Sequence, residues 1–385
     1  MGLFQLPAFA EQEIQTKVDA IKTSINVSIS LIKDGPDKNQ NYRNLVANNV
    51  AVAEEHLDTI PQLVTKLILP YKYFEFLEYL GHYKVDYTAL SSQAKTLILF
   101  SASDIIGLDW TNVEHLYLVG NSDPTGLNLL TRTTLKSIGF FDCGGLTVDQ
   151  HTAISSLVKD AKTLQNLIVM NWGNTEIEES AFCGTGTGTA SGSLVQVIIH
   201  KATVIRDKAF YYCCNLSSVS IPDATIIGTS IGDLQNGPFH YCTYLRLASF
   251  PAATDIGSYA FFTCTYLQSA SFPVVTNIGK AAFNECRVLN TISFPVAINV
   301  YDGAFYHCYA LQSASFPFAT NILSSAFREC RALQSAFAPV CTVFGEAAFY
   351  NCINLQTISF PSNARIGGNV FSGCSMLKIT YLPEV

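Results

Sequence analysis

The chain has 385 residues, of which 49% are hydrophobic, and its formal net charge is −7. This length allows a large buried core. The sequence contains no run of about 18 apolar residues, so it predicts no membrane span. Acidic and basic residues nearly balance after residue 200, so the negative excess belongs to the first half. The absence of a basic stripe argues against nucleic acid as a partner.

The first ninety residues have helical patterns. The opening "MGLFQLPAFAEQ" ends like a signal-peptidase site but lacks a basic n-region, so it predicts no export signal. The apolar residues that follow have the heptad-like spacing of a helix seam: Ile14, Val18, Ile21, Ile25 and Ile32. Such an Ile-rich seam favours a homotrimer, and packing on the same chain is the alternative. A second helical pattern runs from Tyr42 to Leu57, and we predict that residues 1–90 form a helical attachment or cap segment.

Residues 91–176 contain apolar segments that recur at irregular spacing. We predict strands at "LILF" (97–100), "VEHLYLVGN" (113–121), "LKSIGFFDC" (135–143) and "LQNLIVMNW" (164–172). The segment "TVDQHTAISSLVKDA" lies between the last two and has the pattern of an amphipathic helix that backs such strands.

From residue 177 to 385 a 22-residue pattern repeats. Each repeat cysteine has a Phe three residues before it and a Leu three residues after it; the regular set is Cys242, Cys264, Cys286, Cys308, Cys330, Cys352 and Cys374. Two upstream units, "IEESAFCG" and "IRDKAFYYCCNLSSVSIP", fit after insertions and bring the total to nine. In "LNTISF" the alternation of a strand places Leu289, Ile292 and Phe294 inward, and the next proline ends the strand. Because one unit cannot bury its apolar face alone, the units must stack into a solenoid.

This unit resembles the leucine-rich repeat of the BspA-like class. The hallmark I-G-x-x-A-F-x-x-C-x-x-L-x-x-I-x-I-P is carried by "IGKAAFNECRVLNTISFP" (278–295), with Phe for the Ile before Pro. Val300 and Phe344 stand where other units have Ile. The resemblance implies an α/β solenoid, a right-handed leucine-rich repeat coil with a parallel concave sheet, preceded here by the N-terminal helical segment. It also implies non-catalytic recognition, because such arrays are typical of bacterial and protist surface proteins.

Twelve cysteines raise the question of disulfides or metal. Most occupy the core-facing repeat position, where Cys acts as a small hydrophobe. The adjacent Cys213 and Cys214 have no His at zinc-ligand spacing. We therefore predict buried free thiols, no metal, and synthesis in a reducing compartment.

We found no arrangement typical of catalysis. The segment "CGTGTGTASG" lacks the Lys of a phosphate loop, and the chain has no H-E-x-x-H or C-x-x-C motif. His240 and His307 occupy the same region of two different units, between Phe and Cys. The sequence thus predicts no catalytic residues and no cofactor.

Two surfaces of the solenoid could recognise a ligand. The outward strand residues, such as Gln268, Ser269 and Ser271, form a neutral polar face whose simplest role is solvation. The residues around each cysteine vary and are rich in tyrosine: Tyr211, Tyr212, Tyr241, Tyr244, Tyr266, Tyr306, Tyr309 and Tyr350. Tyrosine gives a large, stiff contact at low entropy cost, so we predict a ligand-binding edge there; aromatic packing that shields the edge is the alternative.

These features predict a recognition or adhesion protein that binds a cell-surface protein or glycan without membrane insertion. A phage-type virion receptor-binding or fibre component fits the lack of an export signal, because virion parts assemble in a reducing cytoplasm and then meet a cell. A virion or cell-surface assembly is therefore favoured over the cytoplasm. The alternatives are a cytosolic protein-interaction scaffold and a protist or bacterial surface adhesin.

Overall fold

The computed structural model describes residues 96–99, 114–119, 134–141, 146–160, 163–173, 175–183, 193–228 and 236–382. These residues belong to two compact units. The predicted helical segment 1–90, with its trimer seam, lies outside the described residues. The proposed boundary between irregular and regular repeats at residue 176 stays a prediction.

The first unit contains three parallel strands, β1 (Thr96–Leu99), β2 (His115–Val119) and β3 (Ser137–Phe141). They pair in register, with Leu116 opposite Ile138. Leu116, Leu118, Ile138 and Phe140 are fully buried. The first three predicted strands are therefore confirmed, with bounds shifted by a few residues.

The second unit begins with helix α1 (Val148–Asp160), which confirms the amphipathic helix. Thr147 and Gln150 form a capping box, since the Thr147 N–H donates to Gln150 Oε1 at 2.8 Å and the Gln150 N–H donates to Thr147 Oγ1 at 3.4 Å. Strand β4 (Asn166–Val169) follows, as predicted. Within the described residues α1 is the only helix, and no helix is long and apolar enough to cross a membrane.

Two parallel β-ladders build the rest of the second unit. The first ladder contains the predicted repeat strands in three hydrogen-bonded groups: β4, β6 (Gln196–Ile199) and β8 (Ser218–Ser220); β10 (Leu247–Ser249), β12 (Ser269–Ser271) and β14 (Thr291–Ser293); and β16 (Ser313–Ser315), β18 (Ser335–Phe337), β20 (Thr357–Pro361) and β22 (Lys378–Leu382). The second ladder is a nine-stranded sheet of β5 (Thr175–Ile177), β7 (Ala202–Ile205), β9 (Ile226–Ile227), β11 (Asp255–Ile256), β13 (Asn277–Ile278), β15 (Asn299–Val300), β17 (Asn321–Ile322), β19 (Val343–Phe344) and β21 (Arg365–Ile366).

The parallel solenoid is confirmed, but each regular turn carries two strands where the sequence predicted one. The short strand after each proline pairs in register with the same strand one turn on, as Asn277 does with Asn299. Its side-chain amides continue the pairing, since Asn299 Nδ2 donates to Asn277 Oδ1 at 2.8 Å. The side opposite the first ladder is therefore β-structure, and the α/β character is confined to α1 among the described residues. The handedness and concavity of the coil stay predictions.

Stacked phenylalanines fill the core of the second unit. The Phe that precedes each repeat cysteine lies on its counterpart in the next turn, with ring centroids 5.1 to 5.8 Å apart from Phe182 to Phe371. A second column, made of Phe250, Phe272, Phe294 and Phe316, packs beside it. Both columns are buried through most of their length, which confirms the predicted inward position of Phe294; Leu289 is also buried, whereas Ile292 is only half-buried.

The repeat cysteines form a third buried column. Each thiol from Cys286 to Cys352 donates to the backbone carbonyl of the core Phe in the preceding turn, with Sγ–O distances of 3.0 to 3.2 Å. The described cysteines from Cys242 to Cys374 are free thiols. Burial raises the pKa of the Cys264 and Cys330 thiols well above the usual range. The prediction of buried thiols is confirmed, and each S–H also satisfies a buried carbonyl.

Helix α1 contributes a buried histidine to the start of the second unit. His151 is only 2% exposed and stacks on Trp172 at 4.1 Å. Its Nε2 lies 2.9 Å from the Trp172 carbonyl oxygen, which can only accept, so Nε2 carries the proton. Nδ1 is then an acceptor, and it is buried without a hydrogen bond. Burial therefore lowers the pKa of His151, although the bond to Trp172 opposes this.

We predict that Phe305→Ala lowers the free energy of unfolding by about 3–5 kcal/mol, because it leaves a cavity between Phe283 and Phe327. The control is Phe318→Ala, whose ring is 59% exposed and whose loss should cost under about 0.5 kcal/mol. Urea unfolding followed by circular dichroism measures both. Equal shifts of the two midpoints would contradict the stacked core.

We predict that the protein loses stability as the pH falls below about 6.5, the pKa of His in an unfolded chain. The unfolded state binds a proton there that folded His151 resists, so the slope approaches at most about 1.4 kcal/mol per pH unit until the pH falls below the folded pKa. His151→Phe keeps a ring on Trp172 and should flatten the pH profile between pH 7.5 and 5.5. Thr152→Ala, an exposed neighbour on α1, should keep the wild-type slope; an unchanged slope in His151→Phe would disprove the role of His151.

Candidate recognition edge

One edge of the second unit is formed by the turns that lead from the second ladder to the first. We call it the turn edge, meaning the two residues before and the two after each repeat cysteine. The residue directly before the cysteine has a positive φ in the eight turns from Tyr212 onward: 56° to 62° in Tyr212, Tyr241, Thr263, Glu285, His307, Glu329 and Asn351, and 85° in Gly373. Such φ values are uncommon outside glycine.

Backbone hydrogen bonds stabilise this left-handed residue. The Glu285 N–H donates to the Tyr306 carbonyl at 2.9 Å, and the His307 N–H donates to the Arg328 carbonyl at 3.1 Å. The same bond recurs one turn further on, from Glu329 to Tyr350 at 2.8 Å. Corresponding side chains of successive turns are therefore held in columns.

Three of the predicted tyrosines form an aromatic cluster at the upstream end of the turn edge. Tyr212 stacks on Tyr241 at 4.5 Å, and Tyr211 meets Tyr212 edge-on at 4.6 Å. His240 lies between Tyr241 and Phe262, at 4.5 and 4.6 Å. Burial raises the pKa of the Tyr211 and Tyr212 phenols. These rings largely shield one another, as the packing alternative expects.

Tyr244 and Tyr266 form a separate pair. Their rings stack at 5.2 Å with planes 3° apart. They are 48% and 50% exposed, more than any other predicted tyrosine. This pair presents a rigid aromatic surface to solvent.

Charged side chains occupy the downstream turns. Glu285 accepts from Arg287 Nε at 2.8 Å and from His307 Nδ1 at 2.5 Å. Burial raises the pKa of Glu285, but the hydrogen bonds from Arg287 and His307 outweigh it and hold this pKa below its usual range. The carboxyl group is therefore ionised at neutral pH and its charge is balanced.

Two turns further on, Glu329 repeats this arrangement. Its carboxylate accepts from Asn351 Nδ2 at 2.9 Å and from Arg331 at 2.8 Å. The hydrogen bond from Asn351 is the main cause that lowers the pKa of Glu329. Tyr309 lies in the turn between, with its ring 5.3 Å from the Arg331 guanidinium, and burial raises its pKa.

Tyr306 and Tyr350 lie two turns apart with Arg328 between them. The Arg328 guanidinium carbon is 5.5 Å from the Tyr306 ring centroid and 4.8 Å from the Tyr350 ring centroid. All eight predicted tyrosines thus lie on the turn edge, but in separate groups, not one continuous stripe. Their role in binding stays a prediction.

The search for tyrosines in the sequence did not identify the charged residues that occupy part of this edge. The signal was present, because "ECR" occurs at 285–287 and again at 329–331, two repeats apart. Within the described part of the chain, no group of three His, Cys, Asp or Glu side chains is placed to hold a metal ion. The chemistry that this edge offers is aromatic contact, hydrogen bonding and balanced charge.

Comparison with known families agrees with the repeat geometry. The model for the BspA type leucine-rich repeat region matches six copies over residues 151–275, 203–334 and 254–378. Together these ranges span 151–378, more than half of the chain. The chain belongs to the BspA-type leucine-rich repeat family. The matched span of this BspA-type array includes all eight tyrosines and both ladders except most of β22.

Several solved structures resemble this BspA-type chain at low identity. A leucine-rich repeat protein from Bacteroides ovatus is 16% identical, with a TM-score of 0.41 over 71% of this chain and 79% of that one. A leucine rich cell surface protein from Faecalibacterium prausnitzii is 22% identical, with a TM-score of 0.33 over 70% and 63%. The pneumococcal vaccine antigen PcpA is 15% identical, with a TM-score of 0.36 over 71% and 63%. The chain thus spans less than two thirds of the length of the last two proteins. A search of curated proteins found no match.

Proposed function

We propose that this chain is a non-catalytic recognition protein that binds a cell-surface protein or glycan through its turn edge. The observation that carries the proposal is the contrast between a constant core and a variable edge. The core Phe is the same in each regular turn, whereas the residue after it changes: Tyr211, His240, Phe262, Asn284, Tyr306, Arg328, Tyr350 and Ser372. A constant backbone with changing side chains suits selective recognition.

The rigidity of the exposed aromatics supports the same role. Tyr244 and Tyr266 already hold each other in place while about half of each side chain faces solvent. Side chains that are ordered before binding lose little rotamer entropy when a partner docks. The BspA-type resemblance favours recognition as well, since arrays of this class are typical of surface proteins.

A phage-type virion component is the finer form of this proposal. The described cysteines from Cys242 to Cys374 are free, and most are buried, which suits a part that is assembled in a reducing compartment and later meets a cell. A homotrimer formed through the seam from Ile14 to Ile32 would present several turn edges to one surface and so raise avidity. The same free thiols favour, as the second candidate, a scaffold that binds a protein inside the producing cell.

We predict that changing Tyr241, Tyr266, Tyr306 and Tyr350 together to Ser weakens binding of the full chain to intact cells by about tenfold or more. The control changes Val274, Val296 and Phe318 to Ser, because these residues are exposed but lie outside the turn edge. Flow cytometry with labelled protein measures binding, and circular dichroism checks that each variant folds.

Equal losses in the two variants would show that the turn edge is not the site. Unchanged binding in both variants would indicate that the site lies on the neutral Ser/Thr/Gln face of the first ladder. If the wild-type chain binds no cell but captures a defined protein of the producing cell, the scaffold replaces the surface role.

A further inference from the structure

One arginine of the turn edge, Arg328, differs from the other two. Arg287 and Arg331 each pair with the glutamate two residues earlier, at 2.8 Å. Arg328 is half-buried and forms no ion pair with any residue that the structure describes. Its Nε is fully buried and makes no hydrogen bond. A positive charge is therefore left unbalanced in a part of the edge where the neighbouring charges are paired.

Two tyrosine rings hold this guanidinium in place. Tyr306 lies 5.5 Å from it and Tyr350 lies 4.8 Å from it, so it is contacted from both adjacent turns. Tyr306 in turn packs on His307 at 3.8 Å, and His307 is hydrogen-bonded to Glu285. The position of Arg328 is thus determined before any ligand arrives.

A fixed and unpaired guanidinium is suited to a planar oxyanion. Because Nε is buried, the two Nη groups form the fork that matches both oxygens of a carboxylate, and charge-assisted bonds of this kind are stronger than neutral ones. Glu329, the adjacent carboxylate, already accepts from Arg331 and Asn351. Its charge is therefore compensated and opposes an incoming anion only weakly.

We propose that Arg328 is the centre of a binding site for the carboxylate of an acidic saccharide. From Asn284 to Ser372, the other members of its column are the amide or hydroxyl side chains Asn284, Tyr306, Tyr350 and Ser372, which suit sugar hydroxyls. No exposed apolar side chain occurs in this column between Asn284 and Ser372, whereas an acidic peptide would want an apolar anchor beside its carboxylate. This inference rests on the proposed recognition function and names the chemistry of the ligand.

The test measures affinity of the full chain for two carboxylate probes, an oligogalacturonate and sialyllactose. The matched neutral probes are the methyl ester of the same oligogalacturonate, which lacks only the charge, and lactose, which lacks the charged sugar. At least one acidic probe should bind about tenfold or more tightly than its neutral match, and added salt should weaken that binding.

Arg328→Gln should lower the affinity for the acidic probe by about tenfold or more, to the level of the neutral probe. Arg328→Lys keeps the charge but loses the fork, so its affinity should be intermediate. The matched control is Arg331→Gln, which removes a paired arginine from the same edge and should change affinity less than about threefold. Thermal unfolding of each variant separates loss of binding from loss of folding.

The proposal is overturned if neither acidic probe binds better than its neutral match, or if folded Arg328→Gln binds like the wild type. Binding of an acidic peptide at Arg328, with no binding of either saccharide, also overturns it. Cell binding separates this inference from the broader function. If Arg328→Gln keeps full cell binding that the tyrosine variant loses, the surface role stands without the saccharide site. If Arg328 binds the acidic probe while the chain binds no cell, the site stands without that role.

Discussion

Ring-on-ring stacking of the core phenylalanines, repeated every 22 residues, is the constraint on which the second unit depends. Parallel strands lie about 4.7–4.9 Å apart, and aromatic rings stack at centroid distances of 4.5–7 Å. The observed 5.1 Å between Phe261 and Phe283 satisfies both preferences at once. The same spacing persists where upstream repeats carry insertions, because Phe182 stacks on Phe210 and Phe210 on Phe239 at 5.1 Å.

The backbone of the turns follows from the same stacking. The core Phe is followed within two residues by a left-handed residue, whose N–H bonds to the next turn. The repeat thiol then donates to the Phe carbonyl of the turn before, as Cys308 does to Phe283 at 3.2 Å. Polar groups that would be left unpaired inside a narrow solenoid are thus satisfied between neighbouring turns, which offsets their desolvation.

On the surface, the register that aligns the core also brings together residues 22 positions apart. The stacked pair Tyr244 and Tyr266 and the bond between Glu285 and His307 both result from this offset. Arg328 is held between its neighbours for the same reason. Because each turn can change its edge residues without disturbing Phe or Cys, one array can carry several kinds of contact along a single edge.

The sequence by itself determined the stacked repeat, its buried Phe, Leu and Cys positions, and helix α1, because these follow from strict spacing and from amphipathic periodicity. It did not predict the second ladder, since two-residue strands such as Asn277–Ile278 are too short to have a period. It placed the eight tyrosines on one edge but could not say which of them shield one another. Nor could "FRECRA" show that Arg331 is paired and Arg328 is not. Only the tertiary structure decided these points, because they depend on the residues one turn before and one turn after, which are near in space and far along the chain.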